Sequence, residues 1–244
     1  MSKTTTALVP ASNGGIADYQ LATVDPESMR ELVEVNLGGN LSPRDLTTVH
    51  VPSGVASSFD VPTLEGPQSV KELTGVLLRV GTSRALFSRS FQESGGKDRP
   101  ECYSEDGLNG HGTPGGDCAN CPMNVFGSAL KGYGKSCIEK KLLFLATKDS
   151  LLPMVVVASP GSHKGLQVYL RQLTAGGKLL SSVVTGISLT AAQSADGIKY
   201  SQLVFRMLYP LSSEDGLIMR SVANAMKGAL GKFSDLQEPE PSAD

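Results

Sequence analysis

The chain has 244 residues, of which 40% are apolar and 19% charged, so a packed core is expected and collagen-like or fully disordered classes are excluded. The longest apolar runs, such as 142–146 and 154–158, have five residues, whereas a membrane helix needs roughly 20. The net charge of −2 is unevenly distributed: residues 1–70 carry −5, residues 71–234 carry +7 and residues 235–244 carry −4. A basic body between two acidic ends is compatible with a polyanionic ligand.

The first third of the chain predicts one helix and an extended arm. Residues 1–24 are rich in Thr, Ser, Ala and Gly, contain no apolar segment of signal-peptide type, and are interpreted as flexible. Pro26 after Asp25 has the pattern of a helix start, and apolar residues at helical spacing continue to Gly38-Gly39, where the helix is expected to end. Four prolines between residues 40 and 70 predict an irregular arm, so 25–69 is taken as an N-terminal helix and arm.

Residues 70–232 predict a single strand-rich domain. A long strand starts at Glu72, with bends or bulges expected at Gly75 and Gly81, and β-like runs follow at 141–147 and 154–158. A helix capped by Ser162 precedes a hairpin formed by 179–189 and 198–209. The last helix begins near Ser212 and is expected to turn six residues toward the core: Leu217, Ile218, Val222, Ala225, Met226 and Leu230.

This order of elements favours a mainly β, α+β fold with flanking helices. We expect an OB-like Greek-key barrel of five or six strands, with a metal-binding insertion at 93–140 and an acidic tail at 233–244. A parallel βαβ sheet is disfavoured because helices do not alternate with strands, whereas another α+β sheet remains possible.

The four cysteines carry the most specific signal. Cys102, Cys118, Cys121 and Cys137 fall within 36 residues, with the symmetric spacing C-x15-C-x2-C-x15-C. A CxxC turn places two thiolates on one side of a metal, and two distant cysteines complete a tetrahedron. The sequence therefore predicts one structural Zn²⁺ held by four cysteines, with His111 as the reserve ligand.

Other uses of these cysteines fit less well. Disulfides require an oxidising compartment, a thioredoxin-like CxxC requires a βαβ unit, and a zinc deaminase requires a proline where Asp117 stands. An iron–sulfur cluster fits the ligand count but not the usual close spacing. The phosphate-loop-like stretch 129–136 is disfavoured as a nucleotide site because no strand precedes it and Cys137 follows.

Basic and aromatic residues are interleaved through the strand-rich body. Cations for phosphates and aromatic faces for bases are the requirements of single-strand binding. The rings considered for stacking are Phe87, Phe91, Tyr103, Phe126, Tyr133, Tyr200 and Tyr209, of which Phe91, Tyr103 and Tyr133 are favoured, whereas Phe87, Phe144 and Phe205 are expected in the core. The cations expected to contact phosphates are Arg79, Arg84, Arg89, Lys97, Arg99, Lys131, Lys135, Lys140 and Lys141.

Taken together, a strand-rich body, a cysteine-rich insertion and an acidic tail resemble phage single-stranded DNA-binding replication proteins. The stretches 32–46, 61–66 and 118–128 also resemble uncharacterised proteins of phages and integrated elements. The first resemblance implies a cytoplasmic DNA-binding protein, with or without self-association, whose tail contacts replication or recombination enzymes. The tail residues concerned are Asp235, Glu238, Glu240 and Asp244.

The leading hypothesis is a non-catalytic protein that binds single-stranded DNA largely without sequence preference. The alternative is a zinc-stabilised protein-interaction module that does not bind nucleic acid. A nuclease or nucleotide-dependent enzyme comes third, because no carboxylate cluster or nucleophile–base pair stands out in the sequence.

Overall fold

The computed structural model describes residues 26–39, 45–52, 54–89, 98–129, 133–194 and 197–231. These residues form a mixed α+β fold with more strand than helix. The helices are α1 (Pro26–Leu37), α2 (His163–Ala175) and α3 (Ser213–Gly231). The strands are β1 (Thr48–His50), β2 (Phe59–Val61), β3 (Gln68–Val70), β4 (Glu72–Leu86), β5 (Cys102–Ser104), β6 (Asn109–Gly112), β7 (Gly116–Asp117), β8 (Cys137–Ala146), β9 (Met154–Ala158), β10 (Val183–Gln193) and β11 (Lys199–Pro210).

The large sheet is organised around β4, which has 15 residues and bonds to three partners. Strand β8 runs antiparallel along one edge of β4, from Val76 to Leu86. On the other edge, β10 pairs with Glu72–Gly75 and β5 pairs with Arg84–Leu86. The complete order is β1-β9-β8-β4-β5-β6-β7, with β10 and β11 branching from β4.

The predicted strand-rich α+β class is confirmed, but the described strands do not close into the expected barrel. One end of the sheet is β1, which pairs parallel with β9, and β11 pairs only with β10 among the described strands. The predicted irregular arm is also more regular than expected, because it contains β1, β2 and β3. Val49 and Phe59 of this segment are completely buried. The apolar residues of this segment stand singly among prolines, so its sequence lacks the alternating pattern that identifies a strand.

The two faces of the sheet pack against different helices. We call inner the face that carries Leu143 and Leu145 of β8, and outer the face that carries Leu142 and Phe144, since successive side chains of a strand point to opposite faces. The inner face packs against Leu166, Tyr169 and Leu173 of α2. The outer face packs, along part of its length, against Met219, Val222 and Ala223 of α3.

The helices agree with the prediction in position but less well in orientation. Helix α1 ends at the predicted glycines. Helix α2 follows Ser162 as expected, but the Ser162 hydroxyl makes no cap and instead accepts a hydrogen bond from the Leu203 backbone. In α3, Leu217 and Ile218 are exposed and Met219 is buried, which contradicts the expectation that Leu217 and Ile218 point inward.

The error in α3 has a simple cause. Apolar residues occupy positions 217, 218, 219, 222 and 223, so two overlapping apolar stripes are equally good at helical spacing. Contact with the sheet selects the stripe that contains Met219 and Val222. The side chains of residues 225–230 lie outside the described set, so the inward orientation predicted for Ala225, Met226 and Leu230 is not tested. No helix among the described residues is long and apolar enough to cross a membrane.

Candidate metal centre and nucleic-acid interface

The four cysteines are brought to one place by the sheet and by a loop packed against it. Cys102 in β5 and Cys137 in β8 both pair with Leu86 of β4, on opposite edges of that strand. Cys118 and Cys121 come from the segment after β7. All four side chains line one small cavity of about 10 Å³, and all four thiols are free. The proximity expected from the spacing is therefore observed.

Hydrogen bonds of the backbone and of short polar side chains hold the CxxC turn. The Cys118 amide donates to the Leu108 carbonyl. The Asp117 carboxylate accepts from the Ala119 amide at 2.8 Å and from the Asn120 side chain at 2.5 Å. Asp117, which replaces the proline of a deaminase motif, thus acts as the cap of this turn.

The four thiols do not form a metal-coordination site in their present positions. Among the described residues, no group of three or more His, Cys, Asp or Glu side chains stands positioned to hold a metal ion. The reserve ligand His111 lies elsewhere, since it pairs with Tyr103 across β5 and β6 and its ring contacts the tyrosine ring at 5.4 Å. Any metal at the cysteine cavity requires the four thiols to turn toward a common point.

Arg84 is the cation that lines the cysteine cavity. Burial raises the pKa of the Cys137 thiol, and the other three thiols raise it further, whereas the Arg84 guanidinium opposes the shift. The Arg84 side chain is only 14% exposed and forms an ion pair with Glu139 at 2.5 Å. It also donates to the Gly107 carbonyl at 3.1 Å and to the Asn124 side chain at 2.6 Å.

Lys141, like Arg84, is a predicted phosphate contact that lies on the inner face. Its ammonium lies 2.7 Å from Glu139 and donates to the Thr82 hydroxyl at 2.9 Å. Burial raises the pKa of Glu139, but Lys141 and Arg84 outweigh it, so the pKa is lowered and the carboxylate stays charged. Arg84 and Lys141 are thus held by an internal acid, and their side chains are mostly covered.

Two other predicted cations lie on the outer face. Arg79 is opposite Phe144, and Lys140 is opposite Ser83, so both share the face of Leu142. Lys140 is exposed, and its charge together with burial lowers the pKa of the neighbouring His50. Tyr103 is on the same face, because it is opposite Ala85, which is opposite Ile138. Lys140 and Tyr103 therefore share one end of the outer face, whereas Arg79 is six residues along β4 from the position opposite Tyr103.

The loop before β8 carries a pair of exposed aromatic rings. Phe126 is 62% exposed and Tyr133 is 81% exposed, and their rings are nearly parallel, with centroids 6.0 Å apart and planes 11° apart. The Lys135 ammonium lies over the Phe126 ring, 4.9 Å from its centroid, and donates to Asn124. The loop is closed by backbone bonds from Gly127 and Ala129 to the Gly134 carbonyl.

Phe126 is not among the stacking residues that the sequence favours. Its neighbours are hydrophobic and polar rather than basic, so the local pattern does not separate it from core aromatics such as Phe144, which is 3% exposed. The signal that could have found it is its distance of five residues from Cys121, which predicts a tight loop without space for a core.

The remaining predicted contacts are placed as follows. Arg89 is exposed but forms a two-pronged ion pair with Asp98, at 2.6 and 2.8 Å, and Arg99 is exposed. The other predicted residues lie outside the described ranges: Phe91, Lys97, Lys131, Asp235, Glu238, Glu240 and Asp244.

Searches with the whole chain found no match among protein-family models, curated proteins or solved structures.

Proposed function

We propose that this protein binds single-stranded DNA without catalysis and largely without sequence preference. The observation that carries the proposal is the exposed ring pair Phe126–Tyr133, with Lys135 over one ring, in the loop that leads directly into β8. Exposed rings beside cations are suited to unpaired bases, because every base offers a face for stacking and every nucleotide carries a phosphate. In a duplex those faces are already stacked.

The order of the strands supports an OB-type architecture left open at one side. Strand β4 pairs with both β8 and β10, β8 pairs with β9 and β10 pairs with β11, as the five strands of an OB fold do when the closing pair is missing, and α2 joins the third to the fourth of them. In OB folds, oligonucleotides bind on the face of the second and third strands and on the loop between the first and second. The counterparts here are the exposed end of the outer face of β8, which carries Lys140, and the cysteine-containing loop, since Phe144 and Val155 farther along the same face are buried.

Only some of the described cations predicted to contact phosphates are free to do so in the structure. Two of the predicted cations, Arg79 and Lys140, are on the outer face with Tyr103, and a third, Lys135, lies over the Phe126 ring. Arg84 and Lys141 bind Glu139 instead. We assign the phosphate contacts of the described residues to the first group, and we keep the acidic tail as the segment that recruits replication or recombination enzymes.

Fluorescence anisotropy with a labelled oligothymidylate, across a salt series, tests this function. We expect tight binding whose logarithm falls steeply with the logarithm of the salt concentration, and weaker binding to a duplex of the same length. Each of Arg79→Gln and Lys140→Gln is expected to reduce the slope by about 0.7 for every phosphate that the substituted cation no longer neutralises. RNA of the same sequence shows whether the sugar is distinguished.

The matched control is Lys164→Gln, because Lys164 is an equally exposed lysine on α2, which packs on the inner face. This control should bind like the unsubstituted chain and with the same slope. Absence of binding at low salt would contradict the proposal and direct attention to protein partners. Equal reductions in affinity for Lys140→Gln and Lys164→Gln would contradict the assignment of the outer face.

A further inference from the structure

We propose that Cys102, Cys118, Cys121 and Cys137 bind one zinc ion as thiolates, and that Arg84 is the positioning residue that balances the charge of this centre. This inference does not depend on nucleic-acid binding. It reassigns Arg84, which the sequence placed among the phosphate contacts, to the support of a metal.

Four thiols converge on one small cavity. Two come from strands on either side of β4 and two from a turn laid against them, so the cavity is surrounded from different directions. A volume of about 10 Å³ is room for a single atom-sized guest. Gly110 leaves that room, since a Cβ there would be 3.1 Å from the Cys102 sulfur.

The described part of the cysteine-containing insertion has almost no hydrophobic core to stabilise it. Between residues 98 and 129, all of which the structure describes, Cys118 is the only buried hydrophobic side chain. Leu108, Val125 and Phe126 in the same segment are more than half exposed. A segment without a hydrophobic core needs a cross-link, and four free thiols around one cavity provide a metal-dependent one.

A zinc ion held by four thiolates also needs a neighbouring positive charge. Four thiolates around Zn²⁺ leave a net charge of −2, which is costly in a partly buried place unless a cation lies beside it. Arg84 lines the cavity and is held there by Gly107, Asn124 and Glu139. The Asn124 side chain in turn donates to the Cys118 carbonyl at 2.8 Å. Arg84 therefore both supplies the charge and positions the turn that presents Cys118 and Cys121.

The thiols must move from their present positions to bind the ion, because they do not yet form a ligand set. Rotation of the cysteine side chains about their first torsion moves only the sulfur, since the sulfur is the one heavy atom beyond Cβ, and it is the smallest motion that could bring the thiols toward a common point.

Metal analysis of the full-length protein, purified without added metal or a histidine tag, tests the site directly. We expect one zinc per chain by plasma mass spectrometry, and release of that zinc when a mercurial reagent titrates the four thiols. Replacement by Co²⁺ should give the sulfur-to-metal charge-transfer band and the intense visible bands of a tetrahedral thiolate site. Cys118→Ser should lose the ion or the tetrahedral spectrum.

The role of Arg84 is tested by competition with a zinc chelator. Arg84→Met is expected to weaken zinc binding about 10–100-fold, as for other groups that support metal ligands. Arg84→Lys, which keeps the charge, should recover most of the affinity, a result that a role in packing alone would not produce. Arg79→Met is the matched control, because Arg79 is on the opposite face of the same strand and should leave zinc binding unchanged.

Three results would overturn the inference. The first is an unsubstituted chain that contains no zinc and gives no tetrahedral cobalt spectrum, which needs no variant to establish. The second is a freshly purified protein whose thiols are paired as disulfides. The third is equal zinc affinity for Arg84→Met and Arg79→Met, which would remove Arg84 from the centre. None of these measurements involves DNA, so failure of the metal site and failure of the proposed function are distinguishable.

Discussion

Replacement of Tyr133 by alanine isolates the stacking surface from the fold. The Tyr133 ring is 81% exposed, so its removal costs little buried area and should leave the melting temperature unchanged. A base stacked on an aromatic side chain contributes roughly 1–3 kcal/mol, so the Kd for single-stranded DNA should rise about 5- to 150-fold. Tyr133→Phe retains the ring and should bind like the unsubstituted chain.

The second ring adds a test of geometry. Phe126 is 6.0 Å from Tyr133 and nearly parallel to it, so the two rings form one platform. If both contact the same nucleotide, the reduction in binding free energy for the double variant Phe126→Ala/Tyr133→Ala will be smaller than the sum of the single reductions, because residues in contact are not additive. This reduction should also be independent of salt, since the rings carry no charge.

Anisotropy titrations at two salt concentrations, with thermal melts of every variant, provide the measurement. Leu217→Ala is the control, since Leu217 is a 67% exposed apolar residue on α3 rather than on the loop. Unchanged affinity of Tyr133→Ala, together with an unchanged melting temperature, would refute the stacking argument. A fall in melting temperature that accompanies the weaker binding would show that the rings support the loop instead.

Three further expectations concern stability. Gly75→Ala should lower the free energy of unfolding by about 1–3 kcal/mol, because the new Cβ would lie 2.3 Å from the Ala146 carbonyl oxygen. Gly216→Ala is the control, since a Cβ at Gly216 meets open space and should not lower the free energy of unfolding. Equal denaturation midpoints for the two variants would refute this expectation. Burial lowers the pKa of His163 and, together with Lys141, outweighs the opposing effects of Glu139 and of the Ala158 backbone, so stability should decrease as the pH falls below 6.5, and His163→Leu should flatten that part of the profile in pH-dependent melts. Burial raises the pKa of Asp106, but hydrogen bonds from Asn109 and Leu108 outweigh burial and leave a pKa of about 2. Stability should therefore fall as the pH is lowered from about 4 to about 2. An identical acid profile for Asp106→Asn would contradict this role of the Asp106 carboxylate.

Local patterns were sufficient for the elements with regular periodicity. The apolar runs at 141–147 and 154–158 largely coincide with β8 and β9, and helical spacing after Ser162 located α2. The close spacing of the four cysteines predicted that they would meet, and they line one cavity. These features succeeded because each depends on residues close to one another in the chain or on a repeated pattern.

Features that depend on distant partners could not be predicted in the same way. Strand β1 has only three residues and is defined by its parallel pairing with β9, more than 100 residues later. The choice of Met219 over Leu217 depends on which stripe of α3 meets the sheet. The role of Arg84 depends on Asn124 and Glu139, which are 40 and 55 residues away in the chain.

Arg79 and Arg84 show most clearly what the sequence determined and what it left to tertiary structure. The sequence by itself determined that both arginines belong to one long strand, in which residues five apart point to opposite faces unless a bulge lies between them. Counting alternate residues from the inward Leu73 and Leu77 would place Arg79 inside and Arg84 outside. A bulge between Leu77 and Arg79, where β4 pairs with β8, reverses the alternation. The pairing with β8 therefore places Arg79 on the outer face and Arg84 at the cysteine cavity. The sequence alone could not show this, because a bulge is a residue that has no partner on the neighbouring strand, and the neighbouring strand is known only from the tertiary structure.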